Sequence, residues 1–166
     1  MAEFDWSRFV VRIDVKADPV ELYDAWATRD GIERWFLRLS EYKDSSGKIR
    51  NGNERVSVGD SYRWLWHGWP DEIEEHGEIL EANGKDRFAF RFGNAGNCRV
   101  SIFKQGEYQL VEMIQENIPL TEEAKFNFHA GCKEGWTFHL TNMKSIFENG
   151  FDLKNKDLSV KGLVNR

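Results

Sequence analysis

The chain has 166 residues, of which 40% are hydrophobic and 14% aromatic, and its formal charge is −5. That length suits one domain with ample core material, and the acidic balance leaves no basic patch for a nucleic-acid partner. No stretch approaches the ~20 apolar residues of a membrane span, and Met1-Ala2-Glu3-Phe4-Asp5 places acids where a signal peptide would be basic and then apolar.

From Arg8 to Val15, Phe9-Val10-Val11 and the alternation through Ile13 predict a strand. Asp18 as cap, Pro19 at the first helical position and Glu21 as capping-box acid then predict a helix with Leu22, Tyr23, Trp26 and Ala27 on its apolar face. Asp30, with Glu33 three residues on, is expected to cap a second short helix that ends near Trp35-Phe36. Leu39 to Ser57 is polar and broken by turn signals, so it reads as a loop with room for one ragged strand.

Five strand candidates follow. Tyr62, Trp64 and Trp66 share one face, and Gly77–Glu81, Arg87–Phe92, Cys98–Lys104 and Tyr108–Glu116 are separated by glycine-rich links, the pattern of an antiparallel meander. Pro119 stops the last strand. A final helix is expected over roughly Phe128–Asn149, with Gly150 ending it and Trp136, Leu140, Met143 and Phe147 as its apolar stripe. Gly131 and Gly135 each cost that helix about 1 kcal/mol relative to alanine, which predicts a close approach to the sheet or to a ligand. The order of elements is α+β.

This order resembles the START-like (SRPBCC) superfamily, the helix-grip fold of the birch-pollen allergen. Val15-Lys16-Ala17-Asp18-Pro19-Val20-Glu21-Leu22-Tyr23-Asp24-Ala25-Trp26 with Gly31-Ile32-Glu33-Arg34-Trp35-Phe36 looks like the opening of its branch of activator of heat-shock-protein-90 ATPase homologues. Gly77-Glu78-Ile79-Leu80-Glu81 looks like the central strand, and Gly135-Trp136-Thr137-Phe138-His139-Leu140-Thr141-Asn142-Met143-Lys144 like the terminal helix. The resemblance implies a curved antiparallel sheet wrapped around a long C-terminal helix, with two short helices after the first strand. It covers about Arg8 to Gly150 of a domain taken as 1–150, and Phe151, Leu153, Leu158, Val160 and Leu163 suggest that 151–166 is a tail that packs on the domain or on a partner. It also implies an apolar cavity between sheet and helix, and relatives that are lipid carriers, hormone receptors, polyketide cyclases or chaperone activators.

The expected lining of that cavity is Trp26 and Trp35 from the small helices, Tyr62, Trp64, Trp66, Phe88 and Phe90 from the sheet, and Trp136, His139 and Met143 from the long helix. The bland alternative is that these rings fill the core. For acid–base chemistry the candidates are His139, Glu112 and His76, none with a paired nucleophile or orienting acid in sight. His67, His76, His129 and His139, with Cys98 and Cys132, lack any HxH, HExxH or CxxC spacing, so neither a metal site nor a disulfide framework is expected. The two thiols read as buried residues of a protein in a reducing cytoplasm, and nothing points to a cofactor.

The acidic run from Asp71 to Glu75 reads as a solvated edge, whereas Trp69-Pro70 before it suits a loop tip that lids a cavity or contacts a partner. Three functional expectations result. The first is a non-enzymatic domain that holds a small hydrophobic ligand. The second is a surface module that contacts a chaperone, and the third is a cyclase-like enzyme. Oligomeric state is left open.

Overall fold

The computed structural model describes residues 4–165. The strands are β1 (Phe9–Val15), β2 (Leu39–Lys43), β3 (Ser61–Leu65), β4 (Glu74–Ala82), β5 (Arg87–Arg91), β6 (Asn97–Gln105) and β7 (Tyr108–Glu116). They form one antiparallel sheet in the order β1-β7-β6-β5-β4-β3-β2, with a register shift between Ile79 and Glu81 that bends β4. Between β1 and β2 lie α1 (Pro19–Ala27) and α2 (Arg29–Trp35). After β7 comes a continuous helical rod. It comprises a turn α3 (Glu122–Ala124), a π-helical segment (Lys125–Gly131) and the long helix α4 (Cys132–Asn149). The result is the expected helix-grip arrangement of an α+β domain.

Local chemistry sets most boundaries. The Asp18 carboxylate accepts from the N–H groups of Val20 and Glu21 at 2.8 and 3.3 Å, and Pro19 opens α1. The cap of α2 is Thr28 rather than Asp30. Its hydroxyl accepts from Gly31 N at 3.0 Å while donating to Asp24 O at 2.8 Å, so one side chain joins the two helices. Gly77 is required for space, because a Cβ there would run into Arg91 O and the Tyr62 ring. Gly150, at φ 71°, ends α4 by donating to Ile146 O at 3.0 Å.

The polar stretch after α2 holds a true strand. Ser40 and Tyr42 of β2 point inward opposite Trp64 and Tyr62 of β3, while Leu39 and Lys43 are exposed. The segment beyond β2 is pinned by buried Asp60, which pairs with Arg50 through both carboxylate oxygens and accepts Ser57 N at 2.8 Å. A buried ion pair does for this loop what apolar side chains do elsewhere.

On the inner face of the sheet, Cys98, Val100 and Ile102 of β6 and Val111, Met113 and Gln115 of β7 alternate with outward residues. Helix α4 lays Trp136, Leu140, Met143 and Ile146 on this face. Phe147 lies instead at the margin, with the Arg34 guanidinium 4.4 Å above its ring. The fit is fixed by Gln115, which is fully buried. Its Oε1 accepts Trp136 Nε1 at 3.0 Å and its Nε2 donates to Ala95 O at 2.9 Å. At the other end of α4, Lys144 donates to Asp14 O at 2.9 Å and Glu148 accepts Lys16 N at 2.8 Å, which ties the helix to edge strand β1.

The tail is anchored by a second buried amide. Asn142 donates to Trp35 O at 2.8 Å and accepts Leu153 N at 2.7 Å, so it joins α4 to the end of α2 and to the tail. Asn155 N donates to Asn165 O at 2.7 Å, which closes the tail into a loop. No helix among the described residues is long and apolar enough to cross a membrane.

The Gln115 bridge yields a direct test. Gln115→Leu orphans the Trp136 indole N–H and the Ala95 carbonyl, so it should lower urea-unfolding stability by about 2–3 kcal/mol. Adding Trp136→Phe removes one orphan, so the double variant should lose less than the sum of the two single changes. Strict additivity would show that the bridge does not couple helix to sheet.

Candidate functional site

The ten residues expected to line a cavity do not share one space. Trp26, Trp35, Tyr62, Trp64, Phe88, Phe90, Trp136 and Met143 are buried in the core cluster. Their rings touch in sequence. Tyr62 stacks on Trp64 at 3.9 Å, Trp64 meets Phe90 at 5.1 Å, and Trp26 meets Trp35 at 4.7 Å. Only Trp66 and His139 of the ten share one open groove, while Tyr62 edges a separate small hollow beside Gly77. Phe36, at the end of α2, connects the two sets. Its ring lies 4.8 Å from Trp136, 5.2 Å from Trp66 and 4.7 Å from His139.

The groove has a volume of about 490 Å³. Its floor is one stripe of the helical rod, Gly131, Gly135 and His139, spaced four residues apart. Its walls are Trp66, His67 and Trp69 from the segment between β3 and β4, and Gly162, Leu163 and Val164 from the tail. Of the two expectations for these glycines, a close approach to the sheet is not met. A Cβ at Gly135 would meet nothing within 4 Å, and one at Gly131 only Phe126 O at 3.6 Å. The missing side chains admit no other part of the protein and leave open space that forms the groove. Trp69 is 53% exposed and forms part of the wall.

A larger hollow, about 650 Å³, lies along α4 between Phe4, Trp6, Phe138 and Val164. Its histidine, His129, already places Nδ1 3.0 Å from Trp6 O and is ringed by Phe4, Trp6 and Phe9. His139, which lines the smaller groove, by contrast has its Nδ1 buried with no hydrogen-bond partner among the described residues. Polar groups in search of a partner distinguish a binding site from a packing gap, so the smaller groove is the better candidate.

Burial drives the His139 imidazole down to about 3, with the nearby Lys154 charge acting in the same direction. His67 is lowered to about 4 for the same two reasons. Lys154 itself is pushed down to about 8 by burial, against the opposing pull of Asp152. The other acid–base candidates lie elsewhere. Glu112 pairs with Arg12 at 2.5 Å in the β1–β7 ladder, and the exposed His76 contacts Glu74 at 2.8 Å. No three His, Cys, Asp or Glu side chains among the described residues are grouped as a metal would require.

The sign of the pH effect follows from the buried imidazole. Between about pH 3 and the ordinary histidine value of 6.5, the unfolded chain binds a proton that folded His139 refuses. Stability should therefore fall as pH drops from 6.5, by about 2 kcal/mol at pH 5 from this group. Urea midpoints at pH 7 and pH 5 measure the slope, and His139→Phe should flatten it. An unchanged slope in that variant would place the titration elsewhere.

A family model described as activator of Hsp90 ATPase homolog 1-like protein matches residues 16–148. Among curated proteins no relative matches the chain. Protein SSP2350 from Staphylococcus saprophyticus superposes with a TM-score of 0.67 at 16% identity, over 87% of this chain and 94% of that one. The Aha1 dimer from Colwellia psychrerythraea gives 0.63 at 18% identity, over 86% and 97%. DynU16, from the dynemicin biosynthetic locus, gives 0.64 at 18% identity, over 88% of this chain and 49% of that one. At such identities the likeness is one of fold, whereas the family match spans most of the sequence: this chain belongs to the activator of Hsp90 ATPase homolog 1-like family, within the START-like superfamily.

Proposed function

We propose that the protein binds a small hydrophobic molecule without transforming it, and that the groove over Gly131, Gly135 and His139 is where the molecule sits. The carrying observation is the glycine floor. The helical rod forgoes two side chains, Gly131 in its π-helical segment and Gly135 in α4, where Trp66, Trp69, Leu163 and Val164 converge from other elements. A helix accepts a destabilising glycine of about 1 kcal/mol readily where the gap serves binding. The volume falls within the range typical of small-molecule sites. Phe36 places the groove against the aromatic core, so a guest there meets ring faces on the inside and tail side chains on the outside.

A non-enzymatic role is favoured by the state of His139. An imidazole held neutral down to about pH 3 is a weak base for proton abstraction near neutrality. Glu112 and His76, the other candidates, are engaged in pairs of their own.

The glycine floor separates binding from stability. Gly135→Ala should raise stability by up to ~1 kcal/mol, because the methyl group meets nothing. Gly135→Leu should fill the groove and weaken uptake of the neutral fluorophore N-phenyl-1-naphthylamine at least about tenfold, read as loss of its blue-shifted emission. A wild-type protein that leaves the fluorophore dark, or a Gly135→Leu variant that binds as well as wild type, would remove the groove from consideration.

A further inference from the structure

We infer that residues 155–165 form a hinged strap over the groove, latched by Asn165, and that a ligand enters and leaves when the latch opens. The inference rests on the groove being a ligand site and adds how that site is reached.

The floor of the groove belongs to the helical rod, and one wall, Trp66, His67 and Trp69, to the segment that joins β3 to β4. The opposite wall is Gly162, Leu163 and Val164 of the tail. Val164 also lines the larger hollow along α4, so this stretch of tail borders both spaces. The residue that follows it is tied to the tail rather than to the rod. Asn165 O accepts Asn155 N at 2.7 Å, and Asn165 Nδ2 donates to Leu153 O at 3.2 Å. Both bonds end on the root of the same tail, which is the arrangement of a clasp.

The root is fixed, and the loop beyond it holds its own shape. Leu153 N donates to Asn142 of α4 at 2.7 Å, and the Lys154 side chain is 1% exposed. Residues 156–162, in contrast, are all exposed. Their turn is built from within: Ser159 donates through N and Oγ to Asp157 Oδ1 at 2.9 and 2.7 Å, and Asp157 N donates to Asn155 Oδ1 at 2.8 Å. Gly162, at φ 70°, then turns the chain back to the groove, and a Cβ there would meet nothing, so the glycine serves the turn. A loop of this build swings as one piece about residues 154–155 once Asn165 lets go. Local openings are drawn from such stretches of exposed backbone, and lids of this kind move fast enough to gate a site.

Asn165 lines neither hollow, so replacing it removes no contact with a guest and loosens the latch alone. In stopped-flow fluorescence with the full chain, Asn165→Ala should take up and release N-phenyl-1-naphthylamine each about fivefold faster, the weight of one hydrogen bond made in competition with water. Because the latch acts alike on the empty and the filled groove, Kd should stay within about twofold. Val164→Ala, which trims the wall itself, should speed release alone. Hydrogen exchange adds a reading that needs no probe. The Asn155 amide, bonded to Asn165 O, should exchange about fivefold faster in Asn165→Ala, while the Leu153 amide, bonded to Asn142, should not change. Unchanged uptake in Asn165→Ala, faster release without faster uptake, or an Asn155 amide that does not respond would overturn the strap and leave the groove a ligand site. If the wild type takes up no fluorophore, the groove reading falls and the gating role of the strap with it.

Discussion

A buried amide, Gln115, sets the relation between sheet and helix on which everything else depends. Sheets and helices pack through apolar faces that tolerate sliding, whereas a hydrogen bond with two fixed ends does not. Gln115 is held at one end by Ala95 O and at the other by the Trp136 indole. Because β7 pairs with both β1 and β6, its inner residues are among the most firmly placed in the sheet. The rotation of α4 about its axis is thereby fixed. That rotation decides that Trp136, Leu140 and Met143 face the sheet, and that Gly131, Gly135 and His139 face the space between the β3–β4 segment and the tail.

The aromatic wealth of the chain and the site divide the work. Most of the rings are spent on a continuous edge-and-face cluster from Tyr62 to Trp35. That cluster is buried, and it backs the groove through Phe36. The space itself arises from residues that contribute no bulk. This inverts the common picture of a cavity defined by its large lining groups: here the absence of two Cβ atoms does the shaping, and the tail supplies the outer wall.

The fold was legible because its signals are local. The Asp18-Pro19 helix start, the alternation of β5 to β7 and the four-residue spacing from Trp136 all act within a few residues of themselves. Thr28 was missed because Thr28 and Asp30 are equally good caps on paper, and only the turn from α1 settles which is used. Strand β2 was legible only as room for one ragged strand, since Ser40 and Tyr42 are the sole inward residues of a short, polar edge strand. The site was far less legible. Rings that look alike in sequence divide between core and groove according to packing, and nothing in the sequence separates Trp64 from Trp66. Lys154 left no signal at all. A lysine beside Asn155 and Lys156 reads as solvated even in a tail with apolar residues, and its burial depends on where that tail lies. Asn142, flanked by Thr141 and Met143, likewise reads as helix surface although it is fully buried.

That asparagine carries a consequence for how the molecule responds as a whole. Its amide group addresses the carbonyl that ends α2 and the backbone N–H that starts the tail, both from the middle of α4. Three segments far apart in the chain thus share one joint. Leu163 and Val164, which wall the groove, belong to the loop that the Asn155–Asn165 bond closes, and that loop is rooted beside this joint at Leu153.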